Sequence, residues 1–140
     1  MTEYVPNFLA VLIAGLIPML IGSMWYGPVF GKKWLEMVGK TEEEIKENFN
    51  PIKAYVFSFV MSLIMAYVLA HMLEAWNAAY AATGLWRGMQ GAFWAWLGFA
   101  LTIGYQHVAW NNQKLGLYFL NMTYNLVCLL AMGALLGVWR

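Results

Sequence analysis

"LGLYFLNMTYNLVCLLAMGALLGVW", residues 115–139, contains no charged side chain. At about 1.5 Å of rise per residue, some 20 such residues in a helix cross the roughly 30 Å hydrocarbon core of a bilayer. A soluble domain has little use for such a run. It nevertheless carries two amides, Asn121 and Asn125, four positions apart and so on one helix face. An amide left unsatisfied in lipid costs several kcal/mol. This face is therefore expected to turn inward, either as hydrogen-bonding glue between helices or as a polar lining near mid-membrane.

Three more spans lack charge: Tyr4 to Gly31, Ala54 to Leu73 and Gly88 to Gln113. Across the 140 residues 62% are hydrophobic, 17% aromatic and only 11% charged, against roughly 25% charged in soluble domains. The pattern predicts an all-α polytopic membrane protein, one domain over residues 1–140. Its four transmembrane helices, at about 6–26, 54–73, 85–106 and 115–139, are expected to form a bundle. The leading "MTEYVPN" holds no Lys or Arg and no A-x-A-like site follows the first span, so that span is expected to stay attached.

Between the first two crossings, about residues 30–50, lies a short amphipathic and polar segment. "VFGKKWLEMVGK" mixes lysines with aromatic and aliphatic side chains as an interfacial helical turn does. "TEEEIKENFNP" offers Thr41 as N-cap with Glu44 three residues on, and puts carboxylates where the helix dipole favours them. Asn50 then caps the second crossing with Pro51 at its first position, and Pro6 is expected in the first turn of the first. Lys32, Lys33, Lys40, Lys46, Lys53 and Lys114 fall on one side of the membrane, and only Arg87 and Arg140 on the other. The positive-inside rule then places the long first loop, 27–53, in the cytoplasm of a bacterial inner membrane with both termini outside.

Small residues mark where helices approach closely in lipid. The second crossing has Ala54, Ser58, Ser62, Ala66 and Ala70 on one face. The third has Gly91, Ala95, Gly98 and Thr102, the fourth has Gly133 and Gly137, and the first has Gly15, Pro18 and Gly22. These exceed the needs of a simple ring and suggest a homo-oligomer.

No membrane carboxylate or arginine series lies within the charge-free spans, which disfavours proton-coupled exporters and voltage sensors. His71 and His107 are expected at opposite membrane faces, too far apart to share a metal. His71 with Glu74 makes an i, i+3 pair that needs outside ligands. Cys128 is the sole cysteine, and its expected role is packing. No nucleophile–base pair, CxxC or phosphate-binding glycine loop is present, so neither an enzyme nor a cofactor is expected. The net charge of +1 suggests no nucleic-acid partner.

Three stretches resemble a bacterial family known as domain of unknown function 1761, small membrane proteins with four crossings. They are "NFLAVLIAGLIPMLIGSMWYGPVFGKKW", "TEEEIKENFNPIKAYVFSFVMSLIMAYVLA" and "LYFLNMTYNLVCLLAMGALLGVWR". The most specific element is W-Y-x-P followed by F-G-K-x-W: Trp25, Tyr26, Pro28, Phe30, Gly31, Lys32 and Trp34. Asn7 and Asn121 also match. The resemblance implies the architecture and no activity. Two functions stand open. One is an oligomeric pore or carrier for a small solute or ion, lined by Asn121, Asn125, Thr102 and Gln106. The other is a non-transporting module that binds a partner protein or membrane lipids.

Overall fold

The computed structural model describes residues 3–140. Among these the chain is helical throughout, with no strand. Helix α1, Phe8–Met24, begins at Asn7, whose side chain accepts the N–H groups of Leu9 and Ala10. Pro6 therefore lies before the cap rather than in the first turn, because the asparagine satisfies the free donors there. A π-helical segment, Trp25–Val29, follows. Gly27 leaves helical geometry at φ −107° and ψ −107°, Pro28 has no N–H to return to the preceding turn, and Phe30 N–H reaches the Trp25 carbonyl at 2.8 Å. The W-Y-G-P sequence is thus the corner that redirects the chain.

Helix α2, Gly31–Val38, ends at Gly39, whose left-handed φ of 74° suits glycine. Helix α3, Glu42–Glu47, starts at Thr41, which accepts Glu44 N–H at 3.2 Å. Asn50 caps α4, Pro51–Tyr80, by accepting Lys53 N–H. Helix α5, Leu85–Ala95, passes through a second π segment, Trp96–Ala100, directly into α6, Leu101–Asn111. Helix α7, Leu115–Val138, completes the chain.

Three stretches are long and apolar enough to cross a membrane: Phe8–Val29, Pro51–Tyr80 and Leu115–Val138. The stretch expected to cross at 85–106 takes the form of α5, the π segment and α6 in succession. Large apolar side chains cover the exterior, among them Leu20, Ile52, Phe57 and Ile103, each more than half exposed. Such a surface suits lipid rather than water.

Helix α7 packs on α5, α1, α4 and α6, most extensively on α5. There the backbones nearly touch. A Cβ on Gly133 would lie 2.5 Å from the Gly88 carbonyl oxygen, one on Gly137 would lie 2.5 Å from the Gly84 carbonyl oxygen, and Gly84 N–H bonds the Gly137 carbonyl at 3.2 Å. Ala10, Ala14, Ala66, Ala70, Ala92, Met132 and Leu136 fill the adjacent core. On α4, Ser62, Ala66 and Ala70 are buried, while Ser58 is exposed and Ala54 half-buried. At this end, the terminal end, Arg140 pairs with Glu74, and the Tyr4 ring meets His71 edge-on at 5.2 Å. The opposite end gathers the lysine-bearing loops and is the lysine-rich end.

The expected seam on the third stretch breaks half-way. Gly91 is buried against Leu73 and Trp76, and Ala95 is half-buried. A methyl group added at Gly98 would meet nothing within 4 Å, and Thr102 is exposed. The intervening π segment explains the change. It inserts an extra residue into the helical turn and rotates everything after it, by about 100° relative to the α-helical register. Past it, Gly104 takes the inward position, against Met122 and Tyr118.

Candidate functional site

At the lysine-rich end the helices part and leave three adjoining cavities of about 490, 430 and 700 Å³, all walled by Tyr26 and Trp34. The 490 Å³ cavity has α7 as its floor, with Asn121, Met122, Tyr124 and Asn125. Gly104 and His107 of α6 form one side, and Gln113 stands at its rim. The 430 Å³ cavity lies under α2 and α3 and is lined by Lys32, Glu42, Lys46 and Phe49 among others. The third lies between α1 and α4, where Ser23 and Ser58 face it.

The W-Y-G-P corner positions the central ring. With the chain turned at Gly27, the Tyr26 hydroxyl donates to Asn121 Oδ1 at 2.6 Å. Its ring meets Tyr124 edge-on at 5.1 Å and Trp34 at 5.9 Å. Gly31 allows α2 to start so close to this residue, because a Cβ there would lie 2.9 Å from the Tyr26 carbonyl oxygen. Trp25 packs against Phe30 at 4.7 Å, on the other side. Tyr124 in turn donates to the Pro18 carbonyl at 2.7 Å. That approach depends on Gly22, where a Cβ would sit 2.9 Å from the Tyr124 hydroxyl. The sequence pattern puts Gly22 on a packing face, but nothing in it shows that a tyrosine hydroxyl fills the gap.

Asn121 and Asn125 therefore share a cavity, and the Asn125 side chain has no hydrogen-bond partner among the described residues. Thr102 and Gln106, expected beside them, point elsewhere. Thr102 Oγ1 donates back to the Gly98 carbonyl at 2.7 Å, Gln106 Oε1 accepts from Trp110 Nε1 at 2.9 Å, and both residues are exposed. The same π-segment rotation carries them off the inner face. In their place stand His107, Gln113, Tyr26 and Tyr124, which sequence spacing does not connect to α7. His107 Nδ1 pairs with the Asn111 amide, 3.2 Å away, while His71 lies at the terminal end against Tyr67 and Tyr4.

The cavity is blind. Beyond Asn125, α7 turns Cys128, Leu129, Met132 and Leu136 into the core, and the glycine contact with α5 closes what remains. Among the described residues the buried polar ones are Ser62, near the middle of α4, and Asn77, toward its terminal end.

A family model described as "Protein of unknown function (DUF1761)" matches residues 9–137. The chain belongs to this family. The match takes in the W-Y-G-P corner and every residue named above as lining the three cavities, and Asn7 falls just before it. No curated protein matches the chain, and no solved structure does.

Proposed function

We propose that this chain is a four-crossing membrane protein, with α5 and α6 acting together as its third crossing, and that it works as a one-sided binding module. Its chamber opens at the lysine-rich end, which the positive-inside rule assigns to the cytoplasm, and both termini lie outside. A small polar group enters from that side and is held by Asn121, Asn125 and His107, walled by Tyr26, Trp34 and Tyr124. The role is binding rather than catalysis.

One observation carries this reading: the asparagine face of α7 looks into a cavity that ends against a core of Met132, Leu129 and glycine-tight helix contacts. A pore through one chain needs a continuous polar lining along its whole length, and here the lining of the chamber goes no farther along α7 than Asn125. Reconstitution into liposomes tests it. The expected result is ion and small-solute flux no greater than in protein-free vesicles. Flux that rises with protein and is abolished by Asn125→Leu would establish a pore instead.

The outward face of Gly98, Phe99, Thr102 and Ile103 supports a homo-oligomeric assembly in the membrane. Crosslinking between cysteines placed at Gly98 in two copies is the expected result. Monomeric migration under the same conditions would contradict it.

A further inference from the structure

Hydrogen bonds already made around the 490 Å³ chamber fix what the remaining atoms can offer. Asn121 Oδ1 is taken by the Tyr26 hydroxyl, so this amide presents its N–H groups. His107 Nδ1 is already paired with the Asn111 amide at 3.2 Å, which leaves the other ring nitrogen, Nε2, free for a ligand. The side chains of Asn125 and Gln113 make no hydrogen bond among the described residues, while the Gln113 backbone N–H bonds the His107 carbonyl at 3.1 Å, and each free side chain can turn an amide donor to a ligand. No carboxylate lines this chamber. The carboxylate in the adjoining cavity, Glu42, is held by Lys46 at 2.9 Å. Lys32 lines that same adjoining cavity and makes no ion pair among the described residues.

A chamber that can turn amide N–H donors to a ligand, has no carboxylate in its lining and adjoins a cavity holding the unpaired Lys32 ammonium suits anionic acceptor oxygens. Resting on the one-sided chamber proposed above, we infer that its occupant is a phosphate group, either the phosphodiester of a lipid head group or free phosphate. The side chains of Asn121, Asn125, Gln113 and His107 hold the oxygens, and Lys32 balances the charge. The cavity between α1 and α4 shares Tyr26, Trp34 and Tyr124 with the chamber as a common wall and exposes apolar surface on which an acyl chain can lie.

The test is calorimetric titration of the purified full chain in maltoside micelles. Three probes are used: sodium phosphate, dihexanoylphosphatidylglycerol and tetramethylammonium. At least one phosphate-bearing probe should bind saturably, and the one that does identifies the source. Its affinity should fall about tenfold in Asn125→Leu and in Lys32→Gln. Asn125 has no partner to lose, so the unfolding midpoint of the free variant should match the parent; should it drop, Gln113→Leu makes the same comparison. If tetramethylammonium binds and loses affinity in Asn125→Leu while neither phosphate probe binds, the chamber stands and the phosphate assignment falls. If no probe responds to any of these substitutions, both fall.

Discussion

Replacing Gly133 by alanine puts a methyl group where α5 and α7 leave no room. Its Cβ would lie 2.5 Å from the Gly88 carbonyl oxygen, 2.6 Å from Ala92 Cβ and 3.0 Å from the Gly88 carbonyl carbon. Backbone cannot swing aside as a side chain does, so restoring ordinary contact near 3.5 Å requires the helices to part by roughly 1 Å. Overpacking of this kind costs about 1–3 kcal/mol. The neighbouring Gly84–Gly137 bond, already 3.2 Å, lengthens with it and adds on the order of 1 kcal/mol. Alanine's better helix propensity returns up to about 1 kcal/mol, leaving a net loss of about 1–3 kcal/mol. Gly98→Ala has the same propensity gain with nothing to strike, so it should be neutral or slightly stabilising. Unfolding in mixed micelles by added dodecyl sulfate, followed by circular dichroism, measures both. A parental midpoint for Gly133→Ala, or a larger loss for Gly98→Ala, would refute the packing described.

Tyr26→Phe removes the donor to Asn121 Oδ1 and should destabilise the lysine-rich end by about 1 kcal/mol; an unchanged unfolding midpoint would count against that bond. Thr41→Ala removes the cap of α3 and should cost about 1 kcal/mol locally, seen as faster amide exchange at Glu44 with exchange in α7 unaltered. The Lys46 hydrogen bond and charge hold the Glu42 carboxyl below the usual carboxylate range, and Glu42 raises Lys46. The Glu42 contribution is complete above the ordinary carboxylate pKa and is lost as pH falls through the lowered value. That of Lys46 is present below the ordinary lysine pKa and is lost as pH rises through the raised value. Protection factors in α3, which divide out the intrinsic pH dependence of amide exchange, should therefore be highest between these limits, and a flat protection profile from acid to alkaline pH would disprove the pairing.

Much of the architecture follows from local rules that act within a few residues. The charge-free runs, the Thr41 and Asn50 caps and the Gly133/Gly137 pair each depend on neighbours along the chain, and the helices begin and approach where those residues stand. Extrapolating a 3.6-residue period across Trp96–Ala100 misplaces Gly98, Thr102 and Gln106, because a π turn shifts the register and no residue type there signals it. The Asn121 and Asn125 pair is visible as a polar face. Its partners are not, since Tyr26, His107 and Gln113 come from other helices and a loop and meet only once the W-Y-G-P corner has turned the chain. Gly22 shows the same limit: its smallness is plain, and the Tyr124 hydroxyl that needs it lies in α7.

The central claim is that the chamber opens on one side only, and thiol labelling tests it most directly. In a Cys128→Ser background, single cysteines at Asn125 and Gln113 are exposed to a membrane-impermeant maleimide in sealed right-side-out and inside-out vesicles, with Ala66→Cys as the buried control. Reaction at positions 113 and 125 only from the face that carries the lysine-rich loops, with position 66 silent from both, is the predicted result. Labelling of position 125 from the terminal face would contradict a blind chamber.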